Sequence, residues 1–187
     1  LRCVVKQHIP TMYVYLFSRF DREQAMEELP YADHVVICGF GRMGKYVGRA
    51  LESAHIQYVV IEINRFLVAT LRLEGIPVVY GDPTDSSILD YAQADKARLV
   101  VVAVPDLFSQ QQIITNAKTL KPSVKIISRA HFEGYQKLLK KLGSDMVVQP
   151  EFEAAITVVA KTLSLFGLTR EEIGGKISML KTAHGLN

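Results

Sequence analysis

Gly39, Gly41 and Gly44 stand at GxGxxG spacing, and Glu62 follows Gly41 by 21 residues. An apolar run of β-formers, Val35–Cys38, precedes the glycines; an amphipathic helical pattern follows them, and a second apolar run ends in Glu62. Each glycine has its own task in such an arrangement. Gly39 permits the tight strand-to-helix turn, Gly41 leaves room for a pyrophosphate against the backbone, and Gly44 lets helix and strand pack closely. The chemistry is noncovalent: N–H groups at the helix start hold phosphate, and a carboxylate at the strand end accepts both hydroxyls of an adenosine ribose. The fingerprint alone is weak, but strand, helix and acid in the right order make a complete βαβ unit.

Little else in the chain is arranged to react. The five histidines are His8, His34, His55, His131 and His184. Only His131 falls near the carboxyl end of an expected strand, where a solvent-facing role is the plain reading. No HExxH, GxSxG or CxxC pattern supplies a metal or nucleophile site. Cys3 and Cys38 form no metal or disulfide pattern, and Cys38 reads as a small buried apolar residue in a reducing compartment.

Composition narrows the class further. With 187 residues, 49% hydrophobic and 22% charged, the chain suits one globular domain plus appendages. The longest apolar runs, about six or seven residues, fall far short of the roughly 20 that cross a bilayer. A net charge of +3 without a long Lys/Arg block argues against nucleic acid; Lys137, Lys140 and Lys141 read as a solvated helix face. The chain begins at Leu1 without a signal peptide, which suggests a piece of a longer protein.

The elements that must position these residues follow from periodicity and punctuation. After Glu62, residues 64–73 read as a helix ended by Gly75, and 77–80 as a third strand. Thr84 is the expected N-cap of a short helix through Ser87, Leu89 and Tyr91. Residues 99–104 form an unbroken apolar run, as in a parallel strand covered on both faces. Asp106 caps a helix to Leu120, and 124–128 form a fifth strand. Phe132, Tyr135, Leu138, Leu139 and Leu142 mark another helix, stopped by Gly143, and 146–148 make a sixth strand. The chain therefore predicts an α/β fold: a doubly wound, parallel, six-stranded Rossmann sheet of order 3-2-1-4-5-6 with helices on both faces.

Three regions result: a linker over 1–33, a nucleotide-binding domain over 34–149, and a helical tail over 150–187. The first 20 residues carry Arg2, Lys6 and Arg19 without an acid, among Tyr13, Tyr15, Phe17 and Phe20. That mixture suits a membrane–water interface, with an edge strand or plain linker as the alternative. A helix opens at Pro150 with Glu151 and Glu153 in its first turn. Phe152, Ile156, Val159, Leu163 and Phe166 form its apolar side, while Ala154, Val158 and Leu165 lie off it, so a second surface should be covered by a partner subunit. Thr169 and Glu172 then form a capping box for a last helix, which Gly174 and Gly175 weaken.

Gly39 to Gly44, Glu62, the Gly81-Asp82-Pro83-Thr84 turn, the strand end near Asp106 and the Ile127-Ser128-Arg129-Ala130 segment together resemble the RCK nucleotide-binding domain, also called TrkA-N. The resemblance covers about 34–166, and its ending looks most like the Kef-type antiporters. It implies a cytosolic regulatory domain, at the inner face of the cell membrane, of a monovalent cation/proton antiporter or potassium channel. It further implies binding of NAD(H), AMP, ADP or ATP, a homodimer joined by the long helix, and a transmembrane ion-transport unit as partner. Carried over by position, phosphates lie on the backbone of Phe40, Gly41, Arg42 and Met43, with Arg42 adding positive charge. The ribose falls on Glu62. Asp82 and Thr84, in the turn with Gly81 and Pro83, flank the adenine, and Ala103 and Val104 pack beneath the nucleotide. Ile63, Asn64 and Arg65 follow Glu62; Asn64 and Arg65 either cover the adenosine or simply start a helix. Arg129 is a nucleotide or dimer contact, or a surface salt bridge. The rival reading is an NAD-dependent dehydrogenase fragment, and a freestanding Trk-type sensor subunit differs only in connectivity.

Overall fold

Alternating apolar strands and amphipathic helices leave one economical arrangement, a sheet sandwiched between two helical layers. The structure, a computed structural model, describes residues 31–184. Its elements are β1 (Val35–Cys38), α1 (Arg42–Ser53), β2 (Tyr58–Glu62), α2 (Arg65–Leu73), β3 (Val78–Tyr80), α3 (Ser86–Tyr91) and β4 (Leu99–Val102). There follow α4 (Leu107–Leu120), β5 (Lys125–Arg129), α5 (Glu133–Lys141), β6 (Met146–Val148), α6 (Pro150–Leu165) and α7 (Arg170–Ala183). The six strands are parallel in the order β3-β2-β1-β4-β5-β6, the doubly wound Rossmann order read from the sequence.

Period-two alternation divides the strands between two cores. Val36, Cys38, Val59, Ile61, Val100 and Val102 pack with Leu89 of α3 and with Ile113 and Ile114 of α4. Val35, Ile37, Val60 and Val101 face the other way, against Leu71 and Leu67 of α2 and Met43, Val47 and Leu51 of α1. Burial on both faces is why β1 and β4 are continuous apolar runs. The outermost strands, β3 and β6, are also the shortest, with three residues each.

Several boundaries differ from the sequence reading, each for a local reason. β4 stops at Val102 rather than 104, because Pro105 lacks an N–H and restricts the residue before it. β5 starts one residue late, since the Val124 N–H is bonded to the Lys121 carbonyl in the preceding turn (3.0 Å). Asp85, not Thr84, caps α3: its side chain accepts from the Ser87 N–H, while the Thr84 N–H and hydroxyl both donate to Asp82 Oδ1 (2.9 and 2.7 Å). In α5 Leu139 is buried, with Tyr135 and, just after the helix, Leu142 half-buried against the same core; Phe132 precedes the helix and, like Leu138, is exposed.

The expected linker lies outside the described residues up to 30. At its end Tyr31 packs on the core and Asp33 forms an ion pair with Arg98. At the other end, the Thr169–Glu172 capping box is present. α7 turns back on α6, with the His184 ring stacked on Phe152 at 3.8 Å between centroids and bonded to Gln149. No residue of α6 is buried within the single chain. Phe152, Ile156, Val159 and Leu163 are half-buried, but Phe166, expected on the same side, follows the helix and is 81% exposed. Among the described residues no helix is long and apolar enough to cross a membrane.

Candidate functional site

In an open parallel sheet, the place where strand order reverses leaves a crevice at the carboxyl ends of the two diverging strands. Here that point lies between β1 and β4, and the glycine-rich turn fills its rim. Gly39 adopts φ +90, in the left-handed region, and its N–H bonds the Ile61 carbonyl at 2.9 Å. A Cβ on Gly44 would collide with the Gly39 carbonyl oxygen, so the glycine there permits the close approach of α1 to the turn. Gly41 is different: a Cβ on it would meet nothing within 4 Å. Its φ of −70 suits any residue, so neither packing nor backbone requires glycine at this position.

The start of α1 is open to an anion. Gly41 is its N-cap and gives no side-chain hydrogen bond, and no acid occupies the first turn. The first intrahelical bond runs from the Lys45 N–H to the Gly41 carbonyl (3.0 Å), so the N–H groups of Arg42 and Met43 have no intrahelical acceptor. The helix dipole adds partial positive charge at the same place, and Arg42 is exposed beside it. Asn64, Asp85, Asp106 and Thr169 cap α2, α3, α4 and α7 with their side chains, whereas α5 and α6 share with α1 the lack of a side-chain cap.

Glu62, at the end of β2, is only 8% exposed. Its Oε2 accepts from the Phe40 N–H (2.8 Å) and its Oε1 from the Asn64 N–H (2.9 Å). A carboxylate oxygen has two acceptor sites, so each retains capacity for a hydroxyl. In this clamp the Phe40 N–H, one of the expected phosphate donors, is bonded to Glu62, and its side chain is buried in the core on the α1 side. The amides of the turn without an intrahelical acceptor are those of Arg42 and Met43.

Asn64, a candidate cover for adenosine, caps α2, with Oδ1 accepting from the Phe66 and Leu67 N–H groups at 3.0 and 3.2 Å. Arg65 donates through Nε to the Tyr80 hydroxyl (2.8 Å), and its guanidinium carbon lies 5.2 Å from the Tyr80 ring centroid. Ile63 is exposed. The Gly81–Thr84 turn is braced internally: Pro83 is buried, a Cβ on Gly81 would strike Ile88, and the Thr84 carbonyl accepts from Asn116 (2.8 Å). Ala103 is buried and Val104 half-buried at the end of β4, where Val104 Cγ1 would touch a Cβ on Gly39 at 3.1 Å. Arg129 bonds His131, which in turn bonds Glu151 of α6, each at 3.1 Å. Those bonds make Arg129 part of a bridge between β5 and α6. Tyr80, absent from the sequence reading, belongs to this neighbourhood through its register with Glu62.

Cys38 and His34, two side chains with covalent or acid–base chemistry, are both buried. Burial pushes the Cys38 thiol up to about 12, which suppresses the thiolate that would act as a nucleophile. His34 is fully buried at the opposite end of β1, bonded to the Ala92 carbonyl, and burial lowers its pKa. No cluster of His, Cys, Asp and Glu able to hold a metal occurs among the described residues.

Known proteins share this architecture. Glutathione-regulated potassium-efflux system protein KefC of Salmonella arizonae is 33% identical over 152 residues, which cover 81% of this chain and 24% of the relative. The crystal structure of the TrkA-N domain of inner membrane protein YbaL from Escherichia coli matches with TM-score 0.67 and 29% identity, over 70% of this chain and 96% of that one. The Shewanella denitrificans Kef CTD in AMP-bound form has the same fold at TM-score 0.68 and 23% identity, covering 80% of this chain and 91% of that one. The chain spans about a quarter of the length of the curated relatives it matches. The TrkA-N domain family model matches residues 35–150, and the chain belongs to that family.

Proposed function

We propose that this chain is the nucleotide-sensing regulatory domain of a monovalent cation/proton antiporter or potassium channel, held at the cytoplasmic face of the inner membrane. It binds an adenine nucleotide (NAD(H), AMP, ADP or ATP) and is not an enzyme. One observation carries the reading: the uncapped start of α1, with unfilled space over Gly41, stands one clamp away from the buried Glu62 carboxylate. Phosphate fits the first and ribose hydroxyls the second. The AMP-bound Kef domain and the potassium-efflux relatives support the ligand class and the transport role.

In this mechanism the nucleotide biases one arrangement of a domain dimer, and the linker passes the change to a transmembrane unit. A ligand shifts such an equilibrium only by its difference in affinity for the two states; a tenfold difference is worth about 1.4 kcal/mol. Calorimetry of the folded domain with AMP, ATP, NAD and NADH tests the reading. Saturable binding of at least one is expected, without turnover of the nicotinamide. Absence of binding by all four would overturn the proposal, and hydride transfer to a small substrate would replace it with the dehydrogenase.

The dimer rests on α6, an apolar helix that the single chain leaves without a buried residue. Val158 and Leu165 are 62% and 88% exposed. Light scattering should give a dimer for the parent and a monomer for Val158→Asp, since an unpaired charge buried in an interface costs about 3–5 kcal/mol. A parent that is already monomeric at micromolar concentration would remove α6 as the interface.

A further inference from the structure

Tyr80 ends β3 as the lateral partner of Glu62 in the β2–β3 ladder. Residues paired in this way project from the same face of a sheet, on strands about 4.8 Å apart. The ribose acid and the Tyr80 ring are thus immediate neighbours, on the face that α1 and α2 cover. Arg65, from the first turn of α2, lies across Tyr80 with two contacts: Nε donates to the hydroxyl at 2.8 Å, and the guanidinium sits over the ring at 5.2 Å. A planar guanidinium with both an edge donor and a face engaged by one tyrosine is biased towards that orientation.

We infer that Tyr80 is a specificity-determining residue: by holding Arg65 on its ring and hydroxyl, it withholds the positive charge that a 2′-phosphate would require and so favours nucleotides with a free 2′-hydroxyl. The inference rests on the proposed nucleotide site. Arg65 is the cation nearest in sequence to the ribose acid, and an arginine in this neighbourhood is what accommodates a 2′-phosphate in dinucleotide folds. In this inference Arg65 must release the Tyr80 hydroxyl and ring to turn its charge onto a 2′-phosphate, and a 2′-hydroxyl offers no charge in return. The restraint therefore acts against the phosphorylated ribose and leaves the unphosphorylated one untouched.

The test compares AMP with adenosine 2′,5′-bisphosphate, and NAD with NADP, by calorimetry on parent, Tyr80→Phe, Arg65→Gln and the double variant. Tyr80→Phe keeps the ring and removes only the acceptor. It should tighten both 2′-phosphorylated ligands by about threefold to tenfold, the size of one hydrogen bond, and leave AMP and NAD within about twofold. The gain should vanish in the double variant, because Arg65 delivers it. An unchanged ratio in Tyr80→Phe, or a gain that survives Arg65→Gln, overturns the inference while leaving the nucleotide site standing. A purely structural role for Tyr80 would weaken all four ligands together and also overturns it. Failure of the parent protein to bind any of the four overturns the inference, and failure to bind ATP and NADH as well overturns the nucleotide site.

Discussion

Gly41→Val should abolish nucleotide binding without loosening the fold. The side chain would enter space in which nothing lies within 4 Å of the added Cβ, from a backbone whose φ of −70 suits valine. The melting temperature should therefore stay close to that of the parent. The same space is where a phosphate must sit to reach the Arg42 and Met43 amides. Hydrogen bonds to a charged group are worth about 1.5–3 kcal/mol each, so losing two of them weakens binding by about 100-fold or more. Gly44→Val is the contrasting control, because its Cβ would strike the Gly39 carbonyl oxygen and should lower stability directly. Calorimetry paired with thermal melts separates the two variants. Undiminished affinity in a folded Gly41→Val protein would show that phosphate does not approach this turn.

The second large effect is expected at Glu62. In the parent protein NAD should bind at least roughly tenfold tighter than NADP, since a 2′-phosphate brings negative charge to a carboxylate and removes a hydroxyl donor. Both consequences have the same sign. Glu62→Gln should reduce that preference and also weaken NAD, for a reason beyond the ribose. The two carboxylate oxygens accept from the Phe40 and Asn64 N–H groups, and an amide can replace only one of these acceptors. Its NH2 group would face an N–H, leaving a buried donor unsatisfied at a cost of about 1–3 kcal/mol. The glycine turn should then lose order, visible as a lower melting temperature and faster amide exchange at Phe40. Equal or tighter NADP binding by the parent would show that Glu62 does not meet the ribose.

What could be read from the sequence was local. The glycine spacing, the apolar runs and the acid at the end of β2 each signal through a few neighbouring residues, and strand order followed from connection lengths and the fingerprint. The commitment of the Phe40 amide to Glu62 was not legible, because it arises when the β1–α1 turn closes onto a strand 22 residues away. Tyr80 was missed for a similar reason: only the lateral register of β2 and β3 places it beside Glu62. The choice of Asp85 over Thr84 as the α3 cap depended on Asp82 engaging the Thr84 hydroxyl first. Asn64 could be read either as a ligand contact or as a helix start, and its two hydrogen bonds to the α2 amides show that it does start the helix.

The shortness of β3 and β6 bears on how the molecule behaves in company. A sheet border displays unpaired N–H and C=O groups, and a long one is a template on which another chain can add a strand. Among the described residues the borders are three residues each, whereas β2 and β5 within the sheet have five. An incoming strand would find too few consecutive groups to register against, and what it gained would scarcely offset the ordering of its own backbone. The most hydrophobic strands, β1 and β4, lie innermost and present no border at all. Resistance to intermolecular β-stacking is therefore built into the strand order, and it should survive changes to surface charge or to the nucleotide crevice that leave the sheet intact.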